Sequence, residues 1–273
     1  MSKGLGPKME RVPGNRPSSS SRGVYLTVKA RLTDGLRSGE WRPGDALPNE
    51  AWLSVRYQVS IGTLRKAVGE LVDEGILVRR QGSGTFVATH DAARQFHFFR
   101  IVPREGKKEF PAYEVLSFSR CMADAPTRLS LGLAARDRVI RIGNLLRLSG
   151  QPTVVDTMTL PVRLFANLTA AGFRDRKDTI YGLYQSNFNV TVVRTVERLR
   201  AENADPGTAT ALGIKVGAAI LVIDRTAFTF GDRPVELRTR RVNTTNFEYL
   251  SDIDKDEGTT ILPAEAAVLA KEA

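Results

Sequence analysis

Apolar and polar residues change periodicity between Leu47 and Val87, which predicts helices followed by strands. Pro48 is expected to open a first short helix, because the first helical turn does not need the N–H that proline lacks. Trp52, Leu53 and Val55 are expected to give this helix one buried face.

A second, longer helix is predicted from Ile61 to Glu74. Ser60 is a favourable N-cap, because its hydroxyl can accept a hydrogen bond from a free backbone N–H. Gly75 is expected to end the helix in a left-handed conformation. The apolar positions at helical spacing are Leu64, Val68, Leu71 and Val72, and the other face carries Thr63, Arg65 and Lys66. Two such helices joined by a short turn predict a helix-turn-helix, whose second helix suits the major groove of DNA.

A two-stranded hairpin is predicted after the second helix. Residues 76–80 and 85–87 are rich in strand formers, and residues 81–84 (QGSG) form the turn between them. Val24, Val28, Leu32 and Leu36 recur every four residues within a segment that runs to Ser38, which predicts an amphipathic third helix. Together these elements predict a winged helix-turn-helix.

The rest of the chain mixes strands and helices with mostly antiparallel hairpin connections, which predicts an α+β domain. Strands are predicted at 96–102, 113–122, 139–148, 153–160, 191–202, 219–230 and 234–243, and helices at 125–132, 162–171, 179–187 and 206–212. No internal repeat is apparent. The predicted organisation is a disordered basic arm (1–22), a winged helix-turn-helix domain (23–88), a linker (89–94), a larger α+β domain (95–251) and a C-terminal tail (252–273).

Charge and cysteine content narrow the class of protein. The chain has 273 residues and a net charge of +10, and residues 1–90 carry 14 Lys and Arg against 8 Asp and Glu. This basic first part favours a nucleic-acid partner. The single cysteine, Cys121, excludes an intramolecular disulfide and fits a reducing cytoplasm, where we expect it to be a buried strand thiol. With His90 and His97 as the only histidines, a His/Cys zinc site is excluded, and no membrane span or metal loop is apparent.

The first part resembles a known family. The runs WRPGDALPNE, SIGTLRKAVGELVDEG and RRQGSGTFV, within residues 24–88, are similar to the DNA-binding domain of GntR-type bacterial transcription regulators. The candidate DNA-binding residues are Ser60, Thr63, Arg65, Lys66, Arg79, Arg80, Gln81 and Gly82. Ile61 and Ala51 depart from the family, since many relatives have arginine at these two positions, so the operator is expected to differ from the commonest family pattern.

Each candidate has an expected role. Arg65 is expected to read guanine, because its planar fork can pair with O6 and N7, and Ser60 and Thr63 are expected to bind phosphates. Lys66 would add a point charge to the DNA backbone. The hairpin, through Arg79, Arg80 and Gly82, would reach phosphates or the minor groove. For Lys66 and Arg80 an ordinary solvated face is an equal alternative.

The second part resembles the UTRA effector-binding domain of the HutC-like branch of that family. The similarity lies in RLSGQPTVVD, TIYGLYQ, VERLRAENADPGTATALGI and LVIDRTAFTFGDRPVE, within residues 95–250. The resemblance implies a fold related to chorismate lyase, a homodimer and a small-molecule pocket. The implied effector-binding residues are Phe118, Ser119, Arg147, Thr179, Tyr181 and Glu236, with Asp156 as a weaker candidate.

Arg147 is the expected anion receptor of this site, because guanidinium binds carboxylate or phosphate bidentately. The anionic-ligand version often has a second arginine two residues earlier, where this chain has Leu145. That difference favours a ligand less negative than a sugar phosphate, such as a monocarboxylate or an amino-acid catabolite. The alternative is that Arg147, Asp156 and Glu236 pair with one another across the sheet.

The predicted function is that of a metabolite-responsive repressor, without cofactor or metal, that binds a palindromic operator as a homodimer in the cytoplasm. A transcriptional activator or dual regulator is an alternative. A chorismate-lyase-like enzyme fused to a DNA-binding head is a further one, although no Ser/His/Asp set or phosphate loop supports it. His97 lies in FHFFR, where a packed strand residue is favoured over a general base.

Overall fold

The computed structural model describes residues 19–90 and 98–251. The chain forms two compact units, Met1–Val87 and Ala88–Ala273. Most of the predicted basic arm, most of the predicted linker, His97 and the C-terminal tail lie outside the described residues, so the predictions made for them remain predictions. Described residues 19–22 of the arm are helical, which corrects the expected disorder there.

The first unit is the predicted winged helix-turn-helix. Its elements are α1 (Ser19–Ser38), α2 (Glu50–Tyr57), α3 (Ile61–Asp73), β1 (Leu77–Arg80) and β2 (Gly84–Val87). The two strands pair antiparallel, from Leu77 opposite Val87 to Arg80 opposite Gly84. The helix-turn-helix and the wing are therefore confirmed.

Residues at its two ends explain where α3 begins and ends. The hydroxyl of Ser60 accepts a hydrogen bond from the backbone N–H of Thr63 at 3.2 Å, as predicted. Gly75 follows the helix with φ of 65°, a left-handed conformation that suits glycine. The buried face of α3 consists of Leu64, Ala67, Val68 and Leu71. Ala67 replaces the predicted Val72, which is only half-buried.

The prediction for α2 was wrong in two respects. The helix begins at Glu50 with Asn49 as N-cap, so Pro48 precedes the cap. Its buried residues are Leu53 and Tyr57, four apart, whereas Trp52 is 51% and Val55 78% exposed. A helix of eight residues buries one narrow stripe, and i, i+4 spacing defines that stripe.

The second unit is built around a six-stranded antiparallel sheet. Its elements are β3 (Ile101–Pro103), β4 (Ala112–Met122), α4 (Ala125–Leu131), β5 (Arg138–Leu148), β6 (Gln151–Pro161), α5 (Ala170–Arg174), α6 (Ile180–Phe188), β7 (Arg194–Asn203), α7 (Pro206–Leu212), β8 (Ala219–Thr229), a 3₁₀ turn (Phe230–Asp232), β9 (Arg233–Val242) and β10 (Phe247–Tyr249). The strand order is β4-β5-β6-β9-β8-β7, and β3 pairs with β10 in a separate ribbon. The predicted α+β class is confirmed.

This strand order reveals an internal repeat that the sequence analysis missed. The run β4-α4-β5-β6 and the run β7-α7-β8-β9 have the same order of elements, and they meet at the pair β6 and β9. Asp124 and Asp205 each cap the short helix by accepting from the N–H three residues later. Gly132 and Gly213 end those helices in left-handed conformations. The segments 123–132 (ADAPTRLSLG) and 204–213 (ADPGTATALG) share five of ten residues at equivalent positions.

Several boundaries in the second unit differ from those predicted. No helix spans 162–171; α5 is a short helix at Ala170–Arg174, capped by Thr169. The first predicted strand begins only at Ile101, although Phe99 before it is buried. Cys121 lies on β4 as expected, but it is half-buried rather than buried.

Both faces of the sheet are covered. On one face, α5 and α6 pack Phe173, Ile180 and Tyr184 against Ile140 and Met158. The ribbon covers a neighbouring apolar cluster on that face, which contains Ile101, Leu146, Val154, Val242 and Phe247. On the opposite face, α4 and α7 cover smaller clusters that include Leu131 with Val139, and Leu212 with Leu145. The site described below lies on this first face, between its two apolar clusters.

Candidate functional site

The candidate nucleic-acid interface is formed by α3 and the hairpin. Among the predicted DNA-binding residues Thr63 is half-buried and the others are exposed: Ser60, Arg65, Lys66, Arg79, Arg80, Gln81 and Gly82. Arg65 and Lys66 follow the N-terminal turn of α3, and this end of a second helix contacts base edges in helix-turn-helix proteins.

The two cations of α3 have different surroundings. Arg65 donates from Nε to Glu50 Oε2 at 2.6 Å, so α2 orients its guanidinium. The Lys66 ammonium lies 4.0 Å from the centroid of the Tyr25 ring on α1, a cation–π contact. Lys66 is therefore partly engaged within the unit, whereas the two terminal nitrogens of Arg65 are not used by the Glu50 pair.

The hairpin presents a cationic tip. Arg79 and Arg80 are exposed, and Arg80 lies over the Phe86 ring at 4.5 Å, which holds its guanidinium at the wing. Gly82 adopts φ of 71° in the turn. Backbone without a side chain at this point can approach a surface closely. The predicted DNA contacts of these residues remain predictions.

A second candidate site lies in the middle of the sheet face covered by α5, α6 and the ribbon. The strand register places Asp156 opposite both Asn144 and Arg240, and Arg238 opposite Arg225. Directly opposed residues on antiparallel strands point to the same face. We call the resulting buried group the central polar band: Asp156, Arg225, Glu236, Arg238 and Arg240.

Glu236 is the best-satisfied member of the central polar band. Arg238 donates from Nε and Nη2 to its two carboxylate oxygens, each at 2.8 Å. The hydroxyls of Tyr184 and Tyr181 donate to the same carboxylate at 2.7 and 3.2 Å. Burial alone would lower the pKa of Arg238, but the charges of Glu236 and Asp156 outweigh it and hold that pKa well above its usual value.

Arg225 is held between β7 and the segment before the ribbon. It donates from Nε to Glu197 at 2.7 Å and from Nη2 to the carbonyl of Phe98. Glu197 also accepts a hydrogen bond from the hydroxyl of Tyr249. Burial would lower the pKa of Arg225, but Tyr181 and Glu197 outweigh it and raise the pKa.

A cleft opens beside the central polar band, and the cleft together with the open solvent at its mouth measures about 330 Å³. Its walls are formed by α6, the segment around residues 98–99, Tyr113 of β4 and the band itself. The lining residues are His90, Phe98, Phe99, Tyr113, Thr179, Ile180, Tyr181, Arg225, Arg238 and Arg240. Concave sites with aromatic walls and a few placed polar groups are typical of small-molecule binding.

Thr179 and Tyr181 are the two predicted effector-binding residues that line this cleft. Thr179 is the N-cap of α6, where its hydroxyl accepts from the N–H of Gly182 and donates to the carbonyl of His90 at 2.8 Å. Glu236 does not line the cleft, but its carboxylate accepts a hydrogen bond from the hydroxyl of Tyr181.

The other predicted effector residues lie elsewhere on the sheet. Phe118 is half-buried against the α5 and α6 cluster, and Ser119 is exposed on the edge strand β4. Arg147 is partly exposed and lies 3.5 Å from Glu114. None of these three lines the cleft formed by described residues. The alternative prediction was that Arg147, Asp156 and Glu236 pair with one another. Asp156 and Glu236 are indeed ion-paired, but Asp156 pairs with Arg238 and Arg240, and Glu236 pairs with Arg238.

Sequence reasoning did not select the three arginines of the central polar band as site residues. Glu236, Arg238 and Arg240 alternate along a predicted strand, which was a signal that one face of that strand is charged. The other face carries Leu237, Thr239 and Arg241, so neither face is clearly apolar, and the pattern alone did not identify the buried face.

Glu197 makes the stability of the second unit pH-dependent. Burial would raise its pKa, but the charge of Arg225 and the hydrogen bonds from Tyr249 and Arg225 outweigh burial and lower the pKa below 4.5. The carboxylate therefore stabilises the fold above about pH 4.5, and this contribution is lost as the pH falls through the folded-state pKa. We expect the free energy of unfolding of the wild type to fall more steeply below pH 4.5 than that of Glu197→Gln, measured by urea titration. Equal slopes would contradict this role.

Within 19–90 and 98–251 no group of three or more His, Cys, Asp and Glu side chains is arranged to hold a metal ion. None of the helices described for the chain combines the length and the apolar character required to cross a membrane.

Two family models match the chain, one for each unit. The model described as bacterial regulatory proteins, gntR family, matches residues 24–87, and the UTRA domain model matches residues 106–248. The first match contains the helix-turn-helix and the wing. The second contains the six-stranded sheet and most of the cleft.

Relatives and solved structures agree with these matches. The uncharacterized HTH-type transcriptional regulator YurK of Bacillus subtilis is 29% identical over 80% of this chain and 90% of its own length. A protein of Escherichia coli described as a probable fructoselysine utilization operon transcriptional repressor is 27% identical over 78% of this chain and 88% of its own. The ligand-binding domain of a GntR-family regulator from Bordetella bronchiseptica is 34% identical, with a TM-score of 0.55, over 57% of this chain and 97% of that domain.

Proposed function

Because the chain belongs to the GntR family of bacterial regulatory proteins and carries a UTRA domain, we propose that it is a metabolite-responsive transcription repressor. The family and the relatives are DNA-binding transcription regulators rather than enzymes. The observation that carries the proposal is the presence, in one chain, of an exposed arginine-bearing α3 and a cleft beside buried charges. The protein would act in the cytoplasm without a cofactor.

The first unit would bind an operator. In this proposal α3 enters the major groove, Arg65 pairs with guanine, and Ser60 and Thr63 bind phosphates. Lys66 and the wing residues Arg79, Arg80, Gln81 and Gly82 add backbone or minor-groove contacts. A homodimer would present two copies of α3, so the operator would be a palindrome.

The second unit would bind a small, anionic effector. The cleft places Thr179 and Tyr181 beside arginines, and aromatic rings provide its apolar walls. Glu236 would act indirectly, because its carboxylate accepts a hydrogen bond from Tyr181 and so orients that side chain. Phe118, Ser119 and Arg147 remain candidates from the family resemblance, outside the cleft. A ligand that binds one arrangement of the dimer more tightly would shift the equilibrium, and linkage makes operator and effector affinities mutually dependent.

Repression is favoured over activation because a relative is described as a repressor. The sign of regulation is set by where the operator lies relative to the promoter.

The test is capture and sequencing of genomic DNA bound by the purified full chain, followed by binding to the enriched duplex at moderate salt. We expect one recurrent palindrome, bound in preference to random duplex and released by a metabolite of the neighbouring genes. No preference for any duplex would overturn the DNA-binding half. A stable operator complex that no metabolite weakens would overturn the effector half alone.

Ile61 gives a sharper prediction about the operator. It is the first residue of α3 and is 41% exposed, an apolar side chain at the end of the helix that would face base edges. An apolar side chain there suits the 5-methyl group of thymine. Replacing thymine by deoxyuridine at one position of each half-site should weaken wild-type binding by roughly fourfold per half-site, which corresponds to about 0.8 kcal/mol for one buried methyl group.

The matched variant is Ile61→Ala. Its affinity should be insensitive to deoxyuridine at that position, while deoxyuridine elsewhere in the operator affects both proteins equally. A binding assay with a series of singly substituted duplexes measures this coupling. If Ile61→Ala retains the full sensitivity to deoxyuridine, Ile61 does not contact the methyl group.

A further inference from the structure

Arg225 and Arg238 each use at least two guanidinium nitrogens in hydrogen bonds within the protein. Arg238 uses Nε and Nη2 on Glu236, and Arg225 uses Nε on Glu197 and Nη2 on a backbone carbonyl. A buried cation is tolerated when it is paired and hydrogen-bonded in this way.

Arg240 is not engaged to the same extent. Its side chain is 4% exposed, and its hydrogen bond within the described ranges runs from Nε to Asp156 Oδ1 at 3.2 Å. Asp156 is shared, since Asn144 also donates to it and Arg238 lies 3.8 Å away. Its two terminal nitrogens therefore have no hydrogen-bond partner among the residues that the structure describes.

The electrostatic surroundings agree with this geometry. Burial and the neighbouring charges of Arg225 and Arg238 lower the pKa of Arg240, and Asp156 does not offset them. The pKa of Arg238, one position along the same face, is raised instead. Of these two buried arginines, Arg240 is the one whose neighbouring negative charge does not offset the cost of burying its cation.

Arg240 also lines the cleft, which is open to solvent. The centroid of the Phe99 ring lies 5.2 Å from its guanidinium carbon. The rings of Phe98, Tyr113 and Tyr181 form other parts of the wall. The free end of the guanidinium is thus a pair of donors at the side of an aromatic cleft.

We infer that the effector is a small monocarboxylate with an aromatic or other apolar body, and that its carboxylate binds the two terminal nitrogens of Arg240. The planar fork of arginine matches a carboxylate bidentately. A second negative charge on the ligand would be repelled by Asp156 and Glu236, so a phosphate ester fits less well. This inference rests on the proposed function, because it specifies the ligand of the same cleft.

Three related probes test the charge requirement. Phenylacetate carries one carboxylate and a ring, phenylacetamide is its neutral counterpart, and phenyl phosphate approaches two charges. Formate is included as the smallest carboxylate, compared with chloride at equal ionic strength. We expect phenylacetate and formate to raise the midpoint of thermal unfolding of the full chain, phenylacetamide to have no effect, and phenyl phosphate to have a smaller effect than phenylacetate.

The variants compare two candidate anion receptors. Arg240→Met removes the fork at similar length and should weaken phenylacetate binding about tenfold or more, as expected for loss of charged hydrogen bonds. Arg240→Lys keeps the charge without the fork and should weaken binding to a smaller extent. Arg147→Met removes the alternative receptor implied by the family resemblance, a partly exposed arginine 3.5 Å from Glu114, and should bind as the wild type does. Circular dichroism establishes that each variant is folded.

The outcomes separate this inference from the proposed function. The inference is overturned if no carboxylate shifts the unfolding midpoint, if the phosphate binds more tightly than the carboxylate, or if Arg147→Met rather than Arg240→Met loses binding. Should Arg240→Met still release the operator in response to a cell metabolite, effector control stands and Arg240 is not the anchor. If the wild type shows no response to any metabolite, the effector half of the proposed function fails.

A ligand-independent measurement accompanies these assays. Because Arg240 lacks sufficient compensation, Arg240→Met should lower the midpoint of thermal unfolding less than Arg238→Met, which leaves Glu236 without its bidentate partner. Equal or reversed losses would contradict the assignment of Arg240 as the uncompensated cation.

Discussion

Replacing Arg65 by alanine is expected to lower affinity for the operator by about 1–3 kcal/mol per half-site, roughly fivefold to 150-fold, while affinity for random duplex changes little. The reason is geometric. Arg65 is exposed on α3 and its Nε is held by Glu50, so the remaining two nitrogens can pair with O6 and N7 of one guanine. Competition binding with operator and random duplexes measures the difference.

Lys66→Ala is the matched control for this prediction. Lys66 is the next residue on the same helix, but an ammonium on phosphate carries no sequence information. Its loss should weaken operator and random duplex alike and reduce the salt dependence of binding by about one unit of slope. If Arg65→Ala behaves in the same uniform way, Arg65 contacts the backbone and another residue reads the base.

The first unit was predictable because its signals are local. The cap at Ser60, the stop at Gly75 and the glycine turn of the wing each act within a few residues, and the structure has all three. The errors also have local causes. Trp52 and Val55 are apolar yet exposed, since packing in a short helix is decided by Leu53 and Tyr57 alone.

The site in the second unit depends on strand register. Asp156 and Arg240 are 84 residues apart, and Arg225 joins Phe98 across 127 residues. Alternation along one strand shows that Glu236, Arg238 and Arg240 share a face, but it does not show which residues of three other strands meet them. The family resemblance indicated Thr179, Tyr181 and Glu236, whereas the arginines beside them required the sheet itself.

The internal repeat escaped notice for a related reason. The clearest shared pattern, A-D-x-x-T-x-x-x-L-G at residues 123–132 and 204–213, covers only the capped helix of each half, whereas the strands around it differ in sequence. The strand order makes it plain, because the sheet reads the same from both edges towards β6 and β9. The central polar band occupies strands near that meeting point, so residues of both halves contribute to one site.

Glu236→Gln is expected to be the most destabilising of the substitutions considered, with a loss of about 3–5 kcal/mol in the free energy of unfolding. Glu236 is fully buried and receives two hydrogen bonds from Arg238 and one each from Tyr181 and Tyr184. Glutamine has the same shape, but its amide nitrogen would face hydrogen-bond donors. Arg238 would remain buried, with Asp156 at 3.8 Å as its nearest carboxylate. Breaking a buried pair from one side costs more than the pair contributes, because the remaining charge stays desolvated.

Two internal references make this measurement specific. Glu202→Gln is the same substitution at an exposed ion pair with Arg200, where a loss within about 1 kcal/mol is expected. Trp41 and Trp52 are the only tryptophans of the sequence and both lie in the first unit, so their fluorescence reports that unit, whereas far-ultraviolet circular dichroism reports both. We expect Glu236→Gln to shift the dichroism transition in urea to lower concentration while the fluorescence transition stays in place. A loss no larger than that of Glu202→Gln would mean that Glu236 is not the structural counter-ion of Arg238, and its carboxylate would then be available to a ligand.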